Sequence, residues 1–211
     1  KGKMYWTDYG SHSVQKADLD GSNVETLVTG LPMPRHMAVD LVRDKLYWTD
    51  SSANKVQCSN LDGSGLVDLV TDIPGAGIAL DVENGKMYWS DPFVGKSNLR
   101  ANLDGSDIET LVVGLSVQVG IALDPVESKM YWADSDTDKV QRANFDGTEV
   151  EDIIVGGGSP RCIALDVLSR EMYWTTATSD EIYRANLDGS DVFTIISGHG
   201  GPRGIALHTI Q

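Results

Sequence analysis

The sequence predicts an all-β chain, a five-bladed β-propeller of four-stranded antiparallel blades, and three periodic signals predict it together. A Tyr-Trp-Thr-Asp-like tetrad starts at Tyr5, Tyr47, Tyr88, Tyr131 and Tyr173, and it holds all five tryptophans. An Asp-Gly turn recurs as Asp20-Gly21, Asp62-Gly63, Asp104-Gly105, Asp146-Gly147 and Asp188-Gly189, 42 residues apart each time. A short apolar run closes each repeat: Met37-Ala38-Val39, Ile78-Ala79-Leu80, Ile121-Ala122-Leu123, Ile163-Ala164-Leu165 and Ile205-Ala206-Leu207. A period of about 40–45 residues is that of one four-stranded blade.

Each element of the repeat follows from local chemistry. The apolar run lacks alternation, which fits a strand buried on both faces, the innermost of a blade. The tetrad makes the second strand, with Asp8, Asp50, Asp91, Asp134 and Thr176 capping the turn that follows it. A third strand leads to the Asp-Gly pair, read as the positive-φ centre of a tight type I′ hairpin. Val24–Val28 and Ile108–Val112 have the half-polar texture of outer strands. No segment carries helical periodicity with caps.

The phase of the repeat predicts how the ring closes. Residues 1–211 form one domain, and Ile205-Ala206-Leu207 supplies the innermost strand that the first blade lacks. Such closure removes open sheet edges. The alternative is five repeats of a larger ring, with two edges left exposed. Cys58 and Cys162 fall in non-adjacent blades at different radii, so the sequence predicts two free thiols; Cys58 is the one that could pair between chains.

The tetrads, the Asp-Gly-Ser turns and the Gly-Ile-Ala-Leu-Asp strand resemble the class B repeats of the low-density lipoprotein receptor family. The resemblance spans essentially the whole chain. It implies an extracellular, secreted propeller that docks a protein or peptide. Composition agrees in part. With 17 basic and 31 acidic residues the net charge is −14, which disfavours nucleic acid and anionic membrane surfaces as partners. No apolar stretch reaches membrane-spanning length.

Residues that break the repeat are the candidates for function. Arg35, Arg161 and Arg203 occupy one slot before the innermost strand, where Ala76 and Val119 stand in the other repeats. They belong to blades two, five and one, contiguous in a closed ring, and so predict a basic arc on the top face near the central channel. Such an arc can orient a carboxylate or sulfate, or else tie blades together by pairing with tetrad acids. Tyr9 and Phe93 are candidate aromatic anchors. His36, with His12, is expected on the same face, where protonation near pH 6 would weaken binding of a basic ligand.

The sequence predicts no catalytic residues, no metal site and no cofactor. Asp134, Asp136 and Asp138 mimic the start of a calcium loop, but Phe145 stands where the bidentate Glu belongs. The function read from the sequence is non-enzymatic binding of an extracellular protein or peptide. A multivalent carbohydrate-binding lectin, with glycan sites on every blade, is the alternative, and a calcium-dependent hydrolase is the third reading. The top loops Tyr9–His12, Ser51–Asn54 and Ala177–Asp180 differ sharply, which favours one asymmetric protein site over repeated glycan sites.

Overall fold

The computed structural model describes residues 2–198 and 200–207. His199 and His208 lie outside the described residues. The described residues contain strands and turns but no helix. The first sheet has three strands, β1 (Lys3–Asp8), β2 (Ser13–Asp18) and β3 (Glu25–Thr29). Four four-stranded sheets follow. The second holds β4 (Pro34–Asp40), β5 (Lys45–Asp50), β6 (Lys55–Asn60) and β7 (Val67–Val70), and the third β8 (Ile78–Asp81), β9 (Lys86–Asp91), β10 (Ser97–Asn102) and β11 (Glu109–Val112). The fourth holds β12 (Gln118–Asp124), β13 (Lys129–Asp134), β14 (Lys139–Asn144) and β15 (Glu151–Val155), and the fifth β16 (Pro160–Asp166), β17 (Glu171–Thr176), β18 (Ile182–Asn186) and β19 (Phe193–Ile196). Each sheet runs in sequence order with antiparallel pairing, and Trp48 stands opposite Met37 and Gln57 in a typical blade. These sheets are the five blades of a β-propeller.

The first blade keeps three strands among the described residues. The segment 201–207, expected to complete it, is described and carries no strand. The chain divides into two compact units, Lys1–Val94 with Arg100–Ile108, and Gly95–Leu99 with Glu109–Gln211.

Blade-to-blade packing explains the repeat within each unit. In the first, Trp48 and Leu46 of blade two are buried against Val14, Val28 and Leu31 of blade one. In the second, Trp174 and Met172 of blade five are buried against Tyr131, Val140 and Ile154 of blade four. Trp48 and Trp174 therefore each face the preceding blade. Trp48, Trp89, Trp132 and Trp174 are fully buried, and truncating one to Ala costs about 3–5 kcal/mol. The indoles of Trp48 and Trp132 donate to Gln57 and Gln141 at 3.0 Å, and Trp174 stacks on Tyr183, which fills the same slot.

Polar groups latch the same junctions. The Thr49 hydroxyl donates to the Ala76 carbonyl of the next blade at 2.7 Å, and Thr7 donates likewise to the Arg35 carbonyl. Arg142 donates to the Leu187 carbonyl of the next blade at 3.2 Å and to Glu151 at 2.6 Å. The recurring arginine therefore ties blades together here. The asparagines of that motif brace the turns: Asn144 and Asn186 each donate to a turn hydroxyl at 2.8 Å.

The Asp-Gly turn differs from expectation. Only the glycines have positive φ, from +82° to +87°, while the aspartates before them do not. Gly21 N–H donates to the Asp18 carbonyl, and Asp20 accepts from the Ser22 amide and hydroxyl. This is a type I turn followed by a left-handed glycine, in a loop longer than two residues. The aspartate is held by its own carboxylate, which favours ordinary right-handed geometry at that position. A second constraint demands glycine. A Cβ on Gly63, Gly105, Gly147 or Gly189 would stand 2.2–2.4 Å from the carbonyl oxygen of Leu27, Leu69, Leu111 or Ile153 in the preceding blade.

Cys58 and Cys162 are free and buried, with their thiol pKa values raised by burial. Cys58 is thus placed where pairing between chains is obstructed.

Candidate functional site

Loops positioned by the tetrad strands and by the approach to the innermost strands carry the candidates. The tetrad acids shape these loops by capping backbone amides. Asp8 accepts from the Gly10 and Ser11 amides, and hydrogen bonding to Ser11 and Gly10 holds it below the usual carboxylate range. Asp50 accepts from Ala53 and from Met33, Asp91 from Phe93 and Val94, and Asp134 from Ser116, Val117 and Thr137. Thr176 fills the same slot with its hydroxyl bonded to Ser179 and the Glu181 backbone.

The acidic run is likewise engaged in holding loops. Asp136 accepts from the Ser116 hydroxyl at 2.9 Å and Asp138 from the Ser159 amide at 2.6 Å. Among the described residues no three His, Cys, Asp or Glu side chains are grouped to hold a metal ion.

The arginine slot has a structural feature that the sequence did not announce. The pairing of β4 with β5 shifts register between Pro34 and Met37, and that of β16 with β17 between Pro160 and Ile163. Arg35 with His36, and Arg161 with Cys162, therefore sit in β-bulges. A bulge re-aims side chains away from the regular pleat.

The six candidates divide between the units: Tyr9, Arg35, His36 and Phe93 in the first, Arg161 and Arg203 in the second. Within the first unit, three of them lie along one strip. Tyr9 is 59% exposed and packs edge-on against His12, with ring centroids 5.8 Å apart. His12 Nδ1 is 3.1 Å from the Pro32 carbonyl oxygen. Next in the chain is Met33, whose sulfur lies 3.4 Å from an Arg35 guanidinium nitrogen. Arg35 Nε donates to the Ser51 hydroxyl at 3.0 Å, and its guanidinium lies over the Phe93 ring at 5.7 Å. Phe93 is 49% exposed, and Val94 beside it is also exposed. Met33 is the residue sequence reasoning missed, because a lone methionine in a loop carries no periodic signal.

His36 behaves differently from expectation. Burial of the ring, with the Arg35 guanidinium beside it, lowers its pKa to about 4, although part of the residue stays exposed. It is neutral near pH 6. In the second unit Arg161 is half-buried and Arg203 exposed. A shallow, open groove lined by Asp44, Asn60, Leu61 and Asp62 contains none of the candidates.

Comparisons with known proteins fit this architecture. The sequence matches the low-density lipoprotein receptor repeat class B over residues 2–40 and 128–167. No curated protein matches the chain in sequence. Among solved structures, a chain of the nidogen/laminin complex is similar with TM-score 0.86 and 21% identity, covering 98% of this chain and 81% of that one. A gluconolactonase from Xanthomonas campestris is similar with TM-score 0.81 and 16% identity, covering 96% of this chain and 74% of that one. Virginiamycin B lyase from Staphylococcus aureus is similar with TM-score 0.77 and 15% identity, covering 97% of this chain and 70% of that one. At such identities the likeness is one of fold, and the fold hosts binding proteins and enzymes alike. The repeats at residues 2–40 and 128–167 are thus low-density lipoprotein receptor class B repeats, and they stand in a five-bladed β-propeller.

Proposed function

We propose that the protein is a non-enzymatic, extracellular binding module whose first unit docks a protein or peptide partner along the strip from Tyr9 through Met33 and Arg35 to Phe93. The observation that carries the reading is the make-up of that strip. Two exposed aromatic rings flank a thioether and a guanidinium, the side chains that interface cores favour. Methionine adapts to irregular partners, and the bulge holds Arg35 against Phe93. Arg161 and Arg203 are candidate contacts of the second unit in the same reading.

Two further points support binding rather than hydrolysis or glycan recognition. The tetrad carboxylates cap backbone amides, an occupation unlike that of a general base awaiting substrate. Among the described residues the strip occurs once, whereas a lectin with a site on every blade would repeat its contacts. The similarity to a nidogen seen with laminin agrees with a protein partner in general.

The test is capture of a partner from native extracellular fluid on the immobilised protein, with Phe93→Ala and Arg35→Ala in parallel. Loss of the partner with both variants, at unchanged melting temperature, supports the reading. A partner retained by both variants refutes it. A glycan array that stays silent at high protein density removes the lectin alternative.

A further inference from the structure

Every repeat but one carries an apolar side chain three residues before the recurring Ala or Ser of its third strand. Val14, Val56, Val140 and Ile182 fill that slot in blades one, two, four and five, and Asn98 fills it in blade three. The three valines are fully buried, and so is Asn98. In blades two and four the next residue is Gln57 or Gln141, which accepts from the tetrad indole. In β10 the buried Leu99 stands there instead. Successive residues of a strand point to opposite faces, so polar and apolar side chains have exchanged faces in this blade.

The valine slot looks toward the following blade. Val14 packs in one cluster with Leu46 and Trp48, and Val140 in another with Met172 and Trp174. By the same repeat Asn98 is turned toward Met130 and Trp132 of blade four, both fully buried. Its side-chain amide can donate twice and accept twice. Among the described residues neither the Asn98 nitrogen nor its oxygen has a hydrogen-bond partner. Polar groups buried in native folds are met by protein or by ordered water, and an amide met by neither is costly. The surroundings add polar groups rather than free charge. Gln118, fully buried where Pro34 and Pro160 begin β4 and β16, donates its amide nitrogen to the carbonyl of the buried Ser97 at 2.9 Å. Asp134, across the sheet from Gln118, is engaged by the Ser116, Val117 and Thr137 amides.

We propose that Asn98 is a binding site for buried water, placed between β10 and blade four. The ligand is identified by what one amide demands. A cation is met only by Oδ1 and an anion only by the nitrogen, whereas water donates to the first and accepts from the second. Two contacts from this side chain alone reach the two to four that an internal water takes, roughly. Water seated there takes the place of the methyl groups that Val14 and Val140 turn toward the following blade. The junction of β10 with blade four is therefore hydrated at a slot that is apolar in the other repeats.

The experiment is a high-resolution crystal structure of the 211-residue chain, with nuclear magnetic resonance of the isotope-labelled protein. Both are repeated on Asn98→Val, which installs the residue of the other repeats. Density for water is expected about 2.7–3.2 Å from both Asn98 Oδ1 and Nδ2. In solution both side-chain amide protons are expected to cross-relax with water that tumbles with the protein. Asn98→Val is expected to lose that density while staying folded; if it fails to fold, the parent measurements decide alone. Four results overturn the proposal. Asn98 amide protons bonded to a protein carbonyl mean that the fold satisfies the group by itself. Water that persists in Asn98→Val is held by other groups. A bound atom about 2.3–2.6 Å from Oδ1 that disappears in chelator makes this a cation site. An assigned parent amide without cross-relaxation and without density beside it is buried dry.

Discussion

The turn glycines allow a comparison in which backbone strain cancels and inter-blade packing remains. Gly21 and Gly147 have nearly the same φ, +82° and +84°. An alanine at either position carries the same left-handed penalty, about 1 kcal/mol once the loss of unfolded-state freedom is offset against it. The surroundings differ. A Cβ on Gly21 meets nothing within 4 Å, whereas one on Gly147 would sit 2.2 Å from the Leu111 oxygen and 2.7 Å from its carbonyl carbon. Those atoms are backbone of the neighbouring outer strand and move only if the strand moves, and overpacking of this kind costs a further 1–3 kcal/mol or about that. For a chain of this length 1 kcal/mol shifts the melting temperature by about 2–4 °C. Gly21→Ala is therefore expected to melt about 3 °C below the parent and Gly147→Ala about 9 °C below, by differential scanning calorimetry at matched pH. Equal losses at the two positions would refute the argument that the turn glycine is selected by contact with the preceding blade.

Other outcomes follow from single contacts. Thr49→Val keeps the shape of a buried side chain but leaves the Ala76 carbonyl without its 2.7 Å donor; urea unfolding is expected to show a loss of about 1–3 kcal/mol. Arg142→Lys removes the fork that reaches both Leu187 and Glu151, and chemical denaturation should register about 1–2 kcal/mol. His36 gives a pH signature. Its folded pKa, about 4, lies below the ordinary 6.5, so its contribution is complete above pH 6.5 and is lost as the unfolded chain takes up the proton between pH 6.5 and about 4. Relative to His36→Gln, the parent is expected to lose up to about 3 kcal/mol across that window; parallel pH profiles for the two proteins contradict it. Carboxylates with lowered pKa values, such as Asp68 held by Lys55 and Gln57, act in the same direction only at lower pH, below their ordinary 3.8.

Much of the architecture was legible because the repeat is dictated by local rules. The tetrad tryptophans, the apolar innermost runs and the capping role of Asp8, Asp50, Asp91 and Asp134 each depend on a few neighbouring residues. The turn type was misread for an equally local reason. Asp-Gly favours type I′ in a two-residue hairpin, but the Asp carboxylate here bonds Ser two residues on and keeps its own φ negative. The arginine slot was visible, while the bulge that holds it was not, since a register shift belongs to the pairing of two strands. His36 illustrates the same divide. Its place in the slot was readable, but its titration depends on burial by other segments and on the Arg35 charge beside it, which the slot alone does not reveal.

By itself the sequence determined the period, the blade, and which residues recur as scaffold, because strand patterning and turn chemistry act over a few residues. Only the tertiary structure decided that Met33 joins Arg35 to the Pro32 backbone beside His12 and Tyr9, and that the buried Asn98 amide finds no partner among the described residues. Both depend on distances between segments far apart in the chain. Packing sets such distances, and packing is a property of several elements at once.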